Sequence, residues 1–142
     1  MRILIVEDSE DRLNWFRYQA IGIPTDIAKT AKEGLEFLSK NEYTQIFLDH
    51  DLADHHYVLV FKGLESDVYD EETGFAVAKF LAENPTKSPE AQIIVHSLNE
   101  YASGRMMNEL KKAGRRPLRI PFSNLKTQYA HMGRKERSIY DY

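Results

Sequence analysis

Short apolar runs alternate with amphipathic stretches along the chain. A run such as Ile3-Leu4-Ile5-Val6 has no polar alternation, which is typical of a strand covered on both faces. Ile46-Phe47-Leu48 and Ile93-Ile94-Val95 have the same character. The pattern predicts five strands, at residues 2–6, 24–28, 45–49, 91–95 and 117–120.

Between the strands, apolar residues recur at the spacing of a helix face. The predicted helices are bounded by capping residues such as Thr30 and Thr73 at the start, and by Gly22, Asn84-Pro85 and Gly114 at the end. Their apolar faces comprise Leu13, Phe16 and Ala20; Ala31, Leu35 and Leu38; Phe75, Ala78, Phe80 and Leu81; and Ala102, Met106, Leu110 and Ala113.

Two segments depart from this alternation. Residues 52–72 are β-branched and aromatic and then acidic, which predicts an insertion after the third strand, a hairpin or a lid. Residues 123–142 are polar and rich in tyrosine, with a weak helical pattern near 123–131. We therefore expect one domain over 1–122, with the insertion at 52–72, and a polar C-terminal extension over 123–142.

Alternating strands and helices predict an α/β fold with a five-stranded parallel sheet between two helical layers. The flavodoxin-like strand order 2-1-3-4-5 is the commonest arrangement for five strands. Ligands of such sheets bind beyond the carboxyl ends of the strands, where the strand order reverses.

Composition narrows the class of protein. The chain has 142 residues, of which 42% are hydrophobic and 29% charged, and it has no cysteine, so disulfides and thiolate metal sites are excluded. There is no signal-peptide pattern and no apolar stretch of about 20 residues, so we expect a cytoplasmic protein with no membrane partner.

Charge is distributed unevenly along the chain. Residues 1–104 carry 9 Lys/Arg against 19 Asp/Glu, and residues 105–142 carry 10 against 3. Two interpretations stay open. The halves attract one another across a mixed surface, which we favour, or a basic flank containing Arg115, Arg116, Arg119 and Arg134 attracts a phosphorylated ligand or RNA.

Polar residues that carry chemistry follow four of the five strands. Because parallel strands end at one sheet edge, these residues are expected to meet there. They are Glu7 and Asp8; Asp49, His50 and Asp51; His96, Ser97 and Asn99; and Arg119.

The carboxylates of Glu7, Asp8 and Asp49 suit a divalent cation, Mg²⁺ or Mn²⁺. Alternatively, Asp8 only caps the next helix. His50 points away from Asp49 and Asp51 if the strand continues, and joins them if the chain turns.

The histidines and the residues after strand four allow two interpretations each. His50 and His96 suit either general acid–base work near neutral pH or the ligation of a transition metal. Ser97 and Asn99 either contact a phosphoryl group or cap the helix that begins there.

The Glu7-Asp8 pair, Asp49 and Ser97 resemble the receiver domain of bacterial response regulators over most of residues 1–122. The resemblance implies Mg²⁺ at the acidic residues, Asp49 as phosphoacceptor and Ser97 as the hydroxyl that contacts the phosphoryl group. Ile120 stands where receivers have a lysine, and Arg119 is one residue away.

A closer likeness lies in Leu48-Asp49-His50-Asp51-Leu52, Thr73-Gly74 and His96-Ser97-Leu98-Asn99, which resemble the cyclic-phosphate processing receiver domains. This resemblance implies a site formed by Asp49, His50, Asp51, His96 and Asn99, with Glu7 and Asp8 beside them. It also implies action on cyclic phosphates or nucleotide ends.

We therefore predict metal-assisted processing or binding of a phosphorylated small molecule or RNA end. Asp49, His50, Asp51 and His96 would be catalytic, and Ser97, Asn99 and Arg119 would bind substrate. The alternatives are a phosphoacceptor receiver using Asp49, and a non-catalytic module that forms a homodimer or binds a protein through Tyr129, Tyr140 and Tyr142 of the extension.

Overall fold

A computed structural model describes residues 1–52 and 73–128 of the protein. The insertion predicted at 52–72, apart from Leu52, and the tyrosine-rich end of the extension lie outside the described residues. No helix in the described ranges is both long enough and apolar enough to cross a membrane.

The sheet has five parallel strands in the order β2-β1-β3-β4-β5, which confirms the predicted fold class. Each predicted strand is found, although β5 is short. The strands are β1 (Ile3–Val6), β2 (Thr25–Ala28), β3 (Gln45–Leu48), β4 (Gln92–Val95) and β5 (Leu118–Arg119).

Five helices lie among the described residues, and side-chain caps fix where the first four begin. Ser9, Thr30, Thr73 and Asn99 are the N-caps of these four helices, and each accepts a hydrogen bond from a backbone N–H of the first turn. The helices are α1 (Glu10–Gln19), α2 (Ala31–Lys40), α3 (Gly74–Glu83), α4 (Glu100–Lys112) and α5 (Phe122–Gln128).

Two hydrophobic cores cover the two faces of the sheet because successive strand residues point in opposite directions. In β1, Leu4 and Val6 belong to the core beneath α2, α3 and α4, while Ile3 and Ile5 belong to the core with α1 and α5. We call the second one the α1 face. Its other strand residues are Phe47 of β3 and Ile94 of β4.

The last described helix, α5, closes the α1 face. Leu125 is fully buried there, and Phe122 packs against the same core. The α1 face is therefore packed by residues of α5 as well as α1.

Candidate functional site

Three polar residues come together at the carboxyl edge because they occupy matching positions on adjacent strands. Val6, Leu48 and Val95 are in register across β1, β3 and β4. The next residue on each strand, Glu7, Asp49 and His96, follows the same alternation and is on the α1 face. The ladder continues one step, since the N–H of Asp49 donates to Val6 and that of His96 donates to Leu48.

Glu7 is fully buried and its carboxylate is held on both sides. Its Oε2 accepts hydrogen bonds from the backbone N–H groups of Asp8 and Ser9 at 3.0 and 3.1 Å. Its Oε1 lies 2.9 Å from Nε2 of His96. Burial raises the pKa of Glu7, but the hydrogen bond and charge of His96 and the Ser9 N–H outweigh it, so the net shift is downward.

His96 is a buried imidazole packed between aromatic rings, with Phe16 at 5.4 Å and Phe122 at 6.4 Å between ring centroids. Burial lowers the pKa of His96, and the hydrogen bond to Glu7 opposes this only in part. A neutral imidazole that donates its Nε2 proton to the Glu7 carboxylate fits the lowered pKa of His96. No described residue is a hydrogen-bond partner of Nδ1.

Asp49 is only 3% exposed and lies beside the Glu7 carboxylate. Burial, and next the negative charge of Glu7, raise the pKa of Asp49 to about 8. The Arg12 guanidinium and the N–H of His50, which donates to Oδ1 at 2.9 Å, offset this in part. Asp49 is therefore largely protonated at neutral pH in the protein without a bound cation.

Glu7, Asp49 and His96 could hold a metal ion, since one ligand atom from each lies within 4.8 Å of the others. The chemistry fits a divalent cation, which would take the place of the proton between His96 and Glu7 and remove the repulsion that keeps Asp49 protonated. The sequence predicts Glu7, Asp8 and Asp49 as the ligands of the cation. Among the described residues, His96 completes the group of ligand atoms in place of Asp8, which is only partly buried.

His50 and Asp51 form a separate pair beside this cluster. His50 is buried, and its Nδ1 lies 2.7 Å from Oδ1 of Asp51, whose side chain is exposed. A carboxylate on Nδ1 fixes the tautomer and the orientation of an imidazole. The chain bends at His50, two residues after the end of β3, and the pair directly follows Asp49 in sequence.

The three predicted substrate-binding residues have structural partners. The Oγ of Ser97 accepts the N–H of Asn99 at 3.1 Å, and Oδ1 of Asn99 caps α4 by accepting the N–H of Ala102 at 3.0 Å. Nη2 of Arg119 donates to the Ser97 carbonyl at 3.2 Å. Asn99 is therefore the N-cap of α4, and Ser97 holds the backbone N–H of that cap residue.

Arg12 is a site residue that the sequence analysis missed. Its Nη1 lies 3.5 Å from Oε1 of Glu7 and 3.7 Å from Oδ2 of Asp49. The signal was present: Arg12 lies in the first turn of the helix that starts directly after the acidic pair, so it returns over that pair.

The Thr73-Gly74 motif holds α3 against the site. Thr73 caps α3, and the N–H of Gly74 donates to the carbonyl of His50 at 3.0 Å. A Cβ at position 74 would lie 1.8 Å from the carbonyl oxygen of Asp49. Only glycine lets the helix start this close to the backbone that carries Asp49.

Comparison with solved structures shows the same fold. A CheY-like response regulator receiver domain from Methanospirillum hungatei JF-1 is 19% identical, with a TM-score of 0.57, covering 89% of this chain and 88% of the other. The response regulator TrrA of Thermotoga maritima, solved with Mg²⁺-BeF, is 21% identical, with a TM-score of 0.55 and coverage of 89% and 91%. No curated protein matches the chain.

The comparison with family models identifies the group within this fold. Residues 2–112 match the model of the cyclic-phosphate processing receiver domain. That range includes the buried cluster Glu7, Asp49 and His96, the His50–Asp51 pair, and the Thr73-Gly74 contact that positions α3. The chain therefore belongs to the family of cyclic-phosphate processing receiver domains.

Proposed function

We propose that the protein binds a divalent cation at Glu7, Asp49 and His96 and uses it to bind and hydrolyse a cyclic phosphate ester. The observation that carries the proposal is the buried cluster itself, whose ligand atoms lie within 4.8 Å of one another at the sheet edge where ligands of this fold bind. The family description supports the substrate class.

The composition of the cluster favours certain cations. Two carboxylates supply the hard oxygen ligands that suit Mg²⁺, while an imidazole nitrogen favours Mn²⁺ or another transition metal. We therefore expect Mn²⁺ to bind more tightly than Mg²⁺. The bound ion would supply Lewis acidity toward a phosphoryl oxygen.

Two tasks remain for the side chains: to hold the metal ligands in position and to transfer protons. Glu7 fixes His96, and the His50 N–H fixes one oxygen of Asp49, so the cluster keeps its geometry. The His50–Asp51 pair is the acid–base group of the proposed reaction, since Asp51 orients the ring of His50. A water oxygen bonds to phosphorus, one ring P–O bond breaks, and the water proton passes to the leaving alkoxide.

Two features of the structure weigh against an Asp49 phosphoacceptor. A carboxyl group with a pKa of about 8 is a weak nucleophile at neutral pH, although a bound cation would ionise it. In addition, Ile120 occupies the lysine position and is buried in the core of the α1 face. No described residue supplies an ammonium group at that position.

The test is thermal unfolding with Mn²⁺ or Mg²⁺ and then with a ribonucleoside 2′,3′-cyclic phosphate or its linear product, with turnover followed by phosphorus NMR. A ligand that binds only the native state adds RT ln(1 + [L]/Kd) to the free energy of unfolding and so raises the melting temperature. We expect the wild-type protein to respond to Mn²⁺ and open the ring. Asp49→Asn should lose both effects.

The matched variant is His96→Gln, whose amide can still donate to Glu7 but lacks an imidazole. It should remain folded and lose most of its Mn²⁺ affinity. Full Mn²⁺ affinity in His96→Gln would remove His96 from the ligand set. A wild-type protein that binds Mn²⁺ yet leaves every cyclic phosphate intact would limit the function to binding.

A further inference from the structure

Arg12 contacts the buried carboxylates through one corner of its guanidinium. Nη1 is 3.5 Å from Oε1 of Glu7 and 3.7 Å from Oδ2 of Asp49. Charge-assisted N–H···O bonds are usually about 2.7–2.9 Å, so both contacts are loose. The side chain is 26% exposed, whereas the two carboxylates it contacts are buried.

Packing holds the rest of the guanidinium in place, but its other N–H donors form no hydrogen bond with a described residue. It lies over the ring of Phe122 at 5.3 Å, and the Ser9 cap fixes the turn of α1 that carries it. No described residue accepts a hydrogen bond from Nε or Nη2. The Arg12 guanidinium therefore lies on the solvent side of the cluster, and its Nε and Nη2 donors are available to a ligand.

The nearby cationic side chains have other partners. Arg119 donates to the carbonyl of Ser97, and Arg115 donates to backbone carbonyls around Ser88, at the other end of the sheet. Lys126 lies over Phe122 with its Nζ 5.5 Å from the ring centroid. Within residues 1–52 and 73–128, Arg12 is the one Lys or Arg that forms an ion pair with Glu7 or Asp49.

We propose that Arg12 exchanges partners: it contacts Glu7 and Asp49 in the free protein and binds the phosphoryl oxygens of a phosphate ester once a cation occupies the cluster. This rests on the proposed function, which supplies the cation. The exchange needs only a small rotation, because Arg12 is already in contact with the cluster. Its planar donor edge matches two phosphate oxygens, which an ammonium group cannot do.

In this exchange, Arg12 weakens the binding of Mn²⁺ and strengthens the binding of phosphate. A positive charge next to the carboxylates competes with a metal ion, so Arg12→Gln should bind Mn²⁺ more tightly, by about threefold or more. The same variant should bind phosphate more weakly, by about tenfold, because the bidentate contact is lost. Arg12→Lys should restore the Mn²⁺ affinity of the wild type but only part of the phosphate affinity.

The matched control is Arg17→Gln on the same helix. Arg17 pairs with Glu10 and Asn14 on the exposed side of α1, so this variant makes the same change in net charge away from the cluster. Calorimetry would measure Mn²⁺ affinity without phosphate, and then the affinity for a ribonucleoside monophosphate at saturating Mn²⁺. Arg17→Gln should leave both affinities within about twofold of the wild type.

Opposite shifts of the two affinities in Arg12→Gln support the exchange. Equal losses of both, with a lower melting temperature, would assign Arg12 a structural role and overturn it, as would unchanged phosphate affinity. If the wild-type protein binds no cation, the proposed function fails. The phosphate contact of Arg12 then survives only if Arg12→Gln still weakens binding of the monophosphate to the metal-free protein.

Discussion

At the scale of single residues, the site combines buried groups that oppose one another. Glu7 and Asp49 are two carboxylates with almost no solvent contact, and one neutral imidazole and one loosely placed guanidinium accompany them. Because the pKa of Asp49 is raised to about 8, Asp49 stays protonated at neutral pH and the cluster does not carry two full negative charges. Metal binding and protonation therefore compete for the same oxygens.

This competition predicts a pH dependence of stability. The folded state holds the Asp49 proton more tightly than the unfolded chain, so Asp49 destabilises the metal-free protein progressively as pH rises from about 4 to 8. Asp49→Asn removes that proton. In the absence of metal, the melting temperature of this variant should equal that of the wild type near pH 4 and exceed it by several degrees at pH 9.

Mn²⁺ provides the control for this prediction. A cation that displaces the Asp49 proton makes apparent affinity rise with pH up to about 8 and releases a proton on binding below that pH. Calorimetry in buffers of different ionisation enthalpy measures the proton directly. Equal heats in all buffers at pH 7 would contradict protonation of Asp49.

The residues of the cluster were only partly predictable from sequence. Glu7, Asp49 and His96 follow Ile5, Phe47 and Ile94 by two positions, so the alternation of each strand assigns them to one face. The alternation does not assign His50, because the chain bends there. Arg12 was missed because its position over the strand ends depends on the direction in which α1 runs from the end of β1.

At the scale of elements, the start of α3 packs directly against the backbone that follows β3. The N–H of Gly74 bonds to His50, and its Cα lies against the carbonyl of Asp49. A distortion of this contact is therefore transmitted to the backbone that carries Asp49 and His50.

Gly74→Ala tests this contact. A methyl group 1.8 Å from the Asp49 carbonyl oxygen cannot be accommodated without shifting α3, so we expect a loss of about 3 kcal/mol in unfolding free energy and weaker Mn²⁺ binding. Gly104→Ala in α4 is the control, since no atom of the described residues lies within 4 Å of the Cβ that this substitution adds. It should stabilise the protein by about 0.5–1 kcal/mol in chemical denaturation.

Equal stability of the two glycine variants would show that α3 adjusts freely.

The order of elements was predictable because the caps Thr30 and Thr73 and the apolar runs are local signals. The closeness of Gly74 to Asp49 was not, because it depends on how α3 and β3 pack after the intervening segment.

At the scale of the whole molecule, Arg115 joins the end of α3 to the segment before β4. Its guanidinium donates to the carbonyls of Leu81, Asn84, Lys87 and Ser88 at 2.6–3.2 Å. A basic flank that attracts an anion was the less favoured of two interpretations of the charge near this residue. Its actual partners are backbone carbonyls, a role that charge counts cannot predict because it depends on tertiary contacts.

Arg115→Ala should therefore act on stability. Several partly buried carbonyls lose their donor, and we expect a loss of about 3 kcal/mol in unfolding free energy, measured by urea denaturation. Arg116→Ala removes the same charge from an exposed neighbour and should change it by less than about 0.5 kcal/mol. Similar effects of both variants would indicate that charge, and not hydrogen bonding, sets the result.

The aromatic packing beneath Arg12 also provides an optical probe of the site. Trp15, the only tryptophan of the chain, lies edge-on to Phe122 at 5.4 Å, and Phe122 supports the guanidinium of Arg12. Any ligand that draws Arg12 outward alters the surroundings of this indole. Intrinsic fluorescence would then report occupancy of the site without a label, and the protein could be titrated as it stands.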